Sequence, residues 1–374
     1  MTIPIYKPFL PPASLKYAHE ALDSTWISSQ GKYIQMMQDR LQELLNVKYV
    51  LPLNNGTSAC HLLAKILFKK LGENNKYQII VPNNVYVAAW NAFLFDNRFT
   101  LIPIDADINT WNIDLQQLDE KIKQYPEASV LIVHNIGNII NVPELQRKYP
   151  NTYFVEDNCE GFLGKYENEW SGVKSLCAAV SCFGNKTLVS GEGGFISFQE
   201  ESLYNYAKSL HGQGQTSQKF VHDLLGYNYR ITNVQAAIYY GQLDIMDQIL
   251  DMKSVIFEKY RNFIKNREDV FAQSIDSSTQ HSNWMFGVRI PKQKNYSEAE
   301  QFFKNKNIET RPMFYPISTH KHLQNNSDVL LDNTNMTNAE ILNKTCLILP
   351  SFPELSIDEQ NHILETLENY INSI

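Results

Sequence analysis

No run of about 18 apolar residues occurs in this 374-residue chain, so a membrane-spanning helix is not expected. Dense lysine or arginine runs are missing too. With a net charge of −7 and a pI near 5.8, no nucleic-acid footprint is expected. Cysteine is scarce: Cys60, Cys159, Cys177, Cys182 and Cys346 are odd in number and scattered, mostly inside apolar stretches. That usage excludes a disulfide framework and reads as reduced core thiols of a cytoplasmic protein. The opening Met1-Thr2-Ile3-Pro4-Ile5-Tyr6-Lys7-Pro8 has a proline pair and no sustained apolar region, so no signal peptide is expected. His320, His322 and Cys346 lack the spacing of a recognised metal site, and no resident metal is expected. No glycine-lysine-serine/threonine follows Gly56 at the spacing of a Walker loop.

What is present is ordinary globular material, 43% hydrophobic and 20% charged. Its length suits a large domain over residues 1–250 and a smaller α+β unit over 251–374. Helical spacing covers Ser14–Leu22, Tyr33–Leu45 and Cys60–Leu71, with the short strand Tyr49–Pro52 between the last two. Then strands and helices alternate. Tyr77–Pro82, Thr100–Ile104, Ala128–His134 and Thr152–Val155 read as strands; Val87–Phe95, Leu115–Gln124 and Val142–Lys148 read as helices. Short apolar strands alternating with helices predict a mainly parallel sheet covered on both faces. Beyond Phe198, Glu201–His211 reads as a helix, Gly212–Lys219 as a polar loop and Asn233–Leu250 as one long helix. Asn283–Ile290 and Cys346–Leu349 are expected strands, and Asn325–Asn338 a surface excursion.

The chemistry concentrates where apolar strands end. Lys186 lies between Ala178-Ala179-Val180 and the turn Gly191-Glu192-Gly193-Gly194, which allows positive φ and close backbone approach. Lysine is seldom buried. One set at a core strand end is a candidate for amine chemistry, because desolvation favours the free amine. Asp157 ends the strand at Tyr153-Phe154-Val155; it suits either a helix cap or a carboxylate for a pyridine nitrogen. A core lysine and a core acid at neighbouring strand ends are what pyridoxal phosphate (PLP) requires. Gly56-Thr57-Ser58 opens a helix straight after a strand, where free N–H groups and the helix dipole favour a phosphate, or where a Ser/Thr cap suffices. Tyr86 could stack on a planar cofactor or simply pack. Asn228 and Arg230 sit in a polar-aromatic loop, and Arg311 could clamp a carboxylate or phosphate.

Together these segments resemble the sugar-nucleotide aminotransferases of the DegT/DnrJ/EryC1/StrS family. The motifs, in order, are Trp26-Ile27-Ser28-Ser29, Asn55-Gly56-Thr57, Val133-His134 with Gly137-Asn138, Glu156-Asp157-Asn158-Cys159-Glu160, Asn185-Lys186 with Gly191-Glu192-Gly193-Gly194, Gly226-Tyr227-Asn228-Tyr229-Arg230, and Glu309-Thr310-Arg311-Pro312. The resemblance implies a fold-type-I, aspartate-aminotransferase-like α/β architecture with a mainly parallel seven-stranded sheet and a smaller α+β domain. It implies a homodimer with shared sites, cycling between PLP and pyridoxamine phosphate.

It also implies roles. Lys186 would bond the cofactor and then carry the proton, Asp157 would pair with the ring nitrogen, and Glu160 would lie beside the phenolic oxygen. Tyr86 would stack on the ring. Gly56, Thr57, Ser58 and Ser181 would hold the phosphate, with Asn228 reaching it from the neighbouring subunit. Trp26, Ser28, Lys32, Tyr229, Arg230 and Arg311 would contact substrate.

A sister branch that dehydrates carbon 3 of the sugar has histidine where this chain has Lys186, so transamination is expected. The wording around Lys186 and Asn228 looks most like perosamine and viosamine synthetases. These transfer the amino group of L-glutamate to the 4-keto carbon of a nucleotide-linked 6-deoxyhexose. Alternatives are a 3-keto sugar aminotransferase, the 3-dehydratase, and a non-catalytic ligand-binding relative. The nucleotide and hexose configuration stay open, with a lean towards UDP- or dTDP-linked 4-keto-6-deoxyglucose. Two departures touch substrate contacts: Pro316-Ile317-Ser318 where relatives commonly carry histidine, and Val85 where they carry threonine.

Overall fold

Apolar segments such as Tyr77–Pro82 and Phe99–Ile104 are too hydrophobic for a wet face, so their sheet must be covered on both sides. The chain, described over residues 2–331 and 336–374 in a computed structural model, achieves this by alternating strand and helix. The order is α1 (Pro12–Asp23), α2 (Lys32–Leu45), β1 (Tyr49–Leu53), α3 (Gly56–Leu71), β2 (Tyr77–Pro82), α4 (Ala88–Leu94), β3 (Phe99–Ile104), α5 (Leu115–Gln124), β4 (Ser129–Val133), α6 (Val142–Lys148) and β5 (Phe154–Asp157). A small ribbon, β6 (Lys165–Tyr166) and β7 (Glu169–Trp170), precedes β8 (Cys177–Ser181), β9 (Gly194–Phe198) and α7 (Glu201–His211). Then come α8 (Asn233–Asp244), α9 (Met246–Ile264), β10 (Thr279–Gln280), β11 (Phe286–Arg289), α10 (Tyr296–Lys304), β12 (Arg311–Pro312), α11 (Lys321–Gln324), α12 (Thr337–Thr345), β13 (Cys346–Leu349) and α13 (Ile357–Ser373).

The main sheet has seven strands in the order β1-β9-β8-β5-β4-β2-β3. Strands β3, β2, β4, β5 and β8 are parallel, and β9 is antiparallel to both β8 and β1. Only β9 is reversed, so the carboxyl ends of the others meet at one edge. Side-chain alternation sorts the core. Ile80, Ile132, Phe154 and Val180 pack on the face covered by α2 and α8. Ile79, Leu131, Val155 and Ala179 pack on the face covered by α3, α4 and α7. The same alternation sends Glu156 to the first face and Asp157 to the second, towards α3.

The smaller unit is a three-stranded sheet, β11-β13-β12, packed on α9, α10 and α13. The chain does not divide cleanly at residue 250, which lies inside α9. Ile3 bridges Ile308 in the smaller unit, while Val329 bridges Leu101 at the edge of the main sheet.

The long helix expected over Asn233–Leu250 is two helices broken at Ile245, whose φ/ψ of −121/21 leave the helical region. The strand expected from Asn283 begins only at Phe286; Asn283 has φ +56 and turns the chain. Strand β5 runs two residues beyond its expected end, because Asp157 still pairs with Val133 and Ala179. Within the expected excursion at 325–338, Val329 is buried, and residues 332–335 lie outside the described part.

Candidate active site

Three strand ends deliver the chemistry to one edge. Strand β5 ends in Asp157, β8 ends in Ser181, and the β1–α3 turn supplies Gly56 and Thr57 at the first turn of a 16-residue helix. Gly56 approaches β8 so closely that a Cβ there would lie 2.7 Å from the Ser181 Cβ, so no other residue fits without displacement. Asn55 caps α3 by accepting the Ser58 N–H at 2.8 Å. The other N–H groups of that turn have no intrahelical partner and, with the helix dipole, favour an anion.

Lys186 is carried by a turn, not by the strand. The Lys186 N–H donates to Phe183 O at 2.9 Å, and the Gly184 N–H donates to Gly191 O at the same distance. Gly193, at φ +129, lets the return strand start beside Ser181. The turn is clamped from two sides. Tyr6 Oη donates to Lys186 O at 2.6 Å, and Trp284 Nε1 donates to Asn185 O at 2.8 Å. The Lys186 Nζ lies 3.9 Å from the Trp284 ring centre, a cation–π distance. The lysine is half-buried, more open than the sequence suggests, because it stands at the mouth of a cavity.

That cavity measures about 720 Å³. Its walls include Gly56, Thr57, Asp157, Glu160, Ser181 and Lys186, with Tyr86 and Arg311 on the rim. Asp157 accepts the Cys159 N–H at 3.1 Å, and among the described residues no lysine or arginine forms an ion pair with it. A buried carboxylate without a cationic partner is costly, so the cavity favours a positive group against it. Glu160 is buried as well. Burial pushes its carboxyl up to about 7, against the opposing pull of Lys186 and of the Ile136 N–H, which donates to it at 2.7 Å. Ile136 pays for that contact with a left-handed φ of +56, a strained setting for a β-branched residue.

Behind the site, His134 and Glu156 form a fully buried pair at 2.8 Å. The Ile140 N–H donates to His134 Nδ1 at 3.1 Å, so the ring proton sits on Nε2 and is donated to Glu156. The pair anchors β4 to β5 next to Asp157.

Not every residue named from the sequence reaches this cavity. Ser58 sits at the third helical position, buried behind the wall with its N–H taken by Asn55. Trp26, Ser28, Lys32, Asn228, Tyr229 and Arg230 do not line it. The Asn233 N–H donates to Ser28 O at 2.7 Å, and Lys32 pairs with Glu20 at 3.0 Å. Tyr229 bonds His61 through its hydroxyl at 2.9 Å, and Arg230 Nε donates to Ser29 at 3.2 Å. Arg230, Ser29 and Gln30 line a separate open groove with Lys208 and His211. Conversely, the sequence assigned no part in this site to Cys60, Phe183, Trp284, Met285, Tyr315 and His320, all on the cavity wall. For Cys60, its position four residues after Gly56 on the same helix face was a usable signal; for Trp284 nothing local was.

A model of the DegT/DnrJ/EryC1/StrS aminotransferase family matches residues 11–368. The chain belongs to that family. Among family relatives it is 33% identical to a GDP-perosamine synthase of Escherichia coli O157:H7, covering 98% of each chain. It is 31% identical to a GDP-perosamine synthase of Vibrio cholerae over the whole of both chains. The fold also matches the E. coli GDP-4-keto-6-deoxy-D-mannose-3-dehydratase solved with bound hydrated PLP, at a TM-score of 0.88 and 24% identity, covering 98% of this chain and all of that one. The cavity fits such a cofactor: a helix N-terminus for the phosphate, an unpaired acid for the ring nitrogen, and an amine at the mouth.

Proposed function

We propose that this aminotransferase moves the amino group of L-glutamate to the 4-keto carbon of a GDP-4-keto-6-deoxyhexose, giving a GDP-4-amino-4,6-dideoxyhexose of the perosamine type. The observation that carries the reading is the convergence of Lys186, Asp157 and the α3 N-terminus on one cavity. Relatives named GDP-perosamine synthase support GDP over the UDP or dTDP leaned towards above, and one named GDP-4-keto-6-deoxy-D-mannose 3-dehydratase supports the manno over the gluco sugar.

PLP, when bound, supplies an aldehyde that condenses with amines and a ring that accepts the electron pair left by a departing proton. The chain's residues do the rest. Asp157, the acid without a cationic partner, would keep the ring nitrogen protonated. The first turn of α3, with Gly56, Thr57 and Ser181, would hold the phosphate. Glu160 would lie beside the phenolic oxygen, and Tyr86, 60% exposed at the rim, would stack on the ring. The Lys186 Nζ takes a proton from glutamate's α-carbon and returns one to the sugar's carbon 4, so one amine serves both halves of the exchange. The Trp284 face keeps that ammonium in place between the two transfers. Arg311, on the same wall, suits the glutamate carboxylate.

Asn228 and Arg230 stand outside their own chain's cavity, and Asn228 is exposed. We assign them, with Trp26, Ser28, Lys32 and Tyr229, to the site of a second copy in a homodimer. No described helix is long and apolar enough to cross a membrane, and the five free cysteines suit the reducing cytoplasm.

A panel of GDP-, UDP- and dTDP-linked 4-keto-6-deoxyhexoses, incubated with the PLP-loaded enzyme and glutamate, tests the reading. Amino sugar and 2-oxoglutarate should appear in equal amounts with the GDP-linked manno substrate. A second reading, carbon-3 dehydration, is favoured by the fold match to the dehydratase. Product mass separates the two: a deoxygenated keto sugar without added nitrogen would reject transamination.

A further inference from the structure

Beside the acid reserved for the ring nitrogen lie two thiols that the proposed reaction does not use. Cys60 comes from α3 and Cys159 from the turn after β5, and both line the cavity with Asp157. One ligand atom from each of the three residues lies within 4.8 Å of the others. We propose that, in the cofactor-free chain, Cys60, Asp157 and Cys159 bind a soft divalent cation of the zinc or cadmium class, and that this cation and the cofactor exclude one another.

Ligand chemistry carries the first half. Two thiolates and a carboxylate suit a thiophilic ion and are poor ligands for magnesium or calcium. Tetrahedral zinc with sulfur at about 2.3 Å spaces its ligand atoms a little under 4 Å apart, so atoms within 4.8 Å of one another need to approach by no more than about 1 Å. Three protein ligands would leave a fourth position for water.

The exclusion half rests on the assignment of Asp157 to the ring nitrogen. A carboxylate bound to a cation cannot also accept that proton, and the ion would occupy the floor of the cavity. Cofactor binding is thereby placed in competition with thiophilic metal, a liability confined to the unloaded enzyme.

Cadmium is the probe, added to full-length protein before and after PLP loading. The unloaded chain should take up one equivalent, with a thiolate-to-metal ultraviolet band and about two protons released per ion. Cys60→Ala and Cys159→Ala should each weaken uptake at least about tenfold, whereas Cys346→Ala, deep in the smaller unit, should leave it unchanged. Circular dichroism of each variant checks the fold. The loaded enzyme should show no band, and cadmium added first should raise the PLP concentration needed for the visible imine absorbance. An unaltered band in both variants, or full uptake by the loaded enzyme, overturns the proposal. Failure of the metal-free chain to bind PLP would instead sink the functional reading and leave the metal uptake standing.

Discussion

At the scale of single residues, the site holds two acids. Both line the cavity and each accepts one backbone N–H, Asp157 from Cys159 beside two thiols and Glu160 from Ile136. Because burial lifts the Glu160 carboxyl to about 7, the folded chain holds a proton that the unfolded chain releases near 4.5. Stability from this group is therefore present below about 4.5 and lost as pH rises towards 7, worth about 3 kcal/mol across the window. Urea unfolding of cofactor-free Glu160→Gln should show that slope removed; an unchanged slope would mean Glu160 is ionised in the fold. Lys186 yields a different prediction. Lys186→Ala should lower turnover at least about 10³-fold, since nucleophile and proton carrier go together. Borohydride treatment should then link no cofactor to the peptide, although pyridoxamine phosphate is still retained. Substantial steady-state transamination by this variant would reject the role. Lys186 stood out in the sequence because a lysine between an apolar run and a glycine-rich turn is unusual, whereas Glu160 was marked only by the family resemblance. Trp284 was not marked, because its meaning comes from folding a distant loop against Lys186.

At the scale of elements, local pattern carried most of the sheet and little of what crosses it. Helices α5, α6 and α7 and strands β2 and β13 have the boundaries expected from periodicity, since each buries one face or two against its neighbours. The break at Ile245 was hidden because neither proline nor glycine marks it; α8 packs against α1 and α2, and α9 leaves for the smaller unit. Helix α9 carries a further anomaly, a lysine in its apolar stripe of Met246, Ile249, Ile256, Phe257 and Tyr260. Lys253 is fully buried, donating to Trp284 O at 2.8 Å and to Ser351 O. It thus ties the helix to the loop that bears the Lys186 clamp and to the end of β13. Burial brings its ammonium down to about 7. The unfolded chain then holds the extra proton between 7 and 10.5, so this group makes stability rise with pH across that window. Lys253→Met should strand two carbonyls, cost about 2 kcal/mol at pH 8 and flatten that rise. Denaturant titrations at pH 7 and 9.5 measure both effects; a variant as stable as the parent would show the carbonyls find other donors.

At the scale of the whole molecule, what one chain lacks points to a second. The loop between α7 and α8 exposes Phe220 at 79% and Leu225 at 90%, and Trp26 and Ile27 are exposed beside the groove lined by Arg230. Large apolar side chains in adjoining segments are costly in water and mark a surface meant to be covered. If that cover is a second copy, two-fold symmetry makes each site a composite, with Lys186 and Asp157 from one chain and Asn228 from the other. Composite sites have a consequence that single-chain sites do not. Lys186→Ala and Asn228→Asp each inactivate, the first by removing the amine and the second by setting a negative charge against the phosphate. In a mixed dimer both lesions fall in the same site, and the other site is intact. Random pairing on co-expression makes half the dimers mixed, so about one quarter of wild-type activity per chain should return. Sedimentation should show dimers throughout, so that loss of assembly is not mistaken for loss of chemistry. Were the sites built from one chain each, every site in the mixture would carry one lesion, and co-expression would restore nothing.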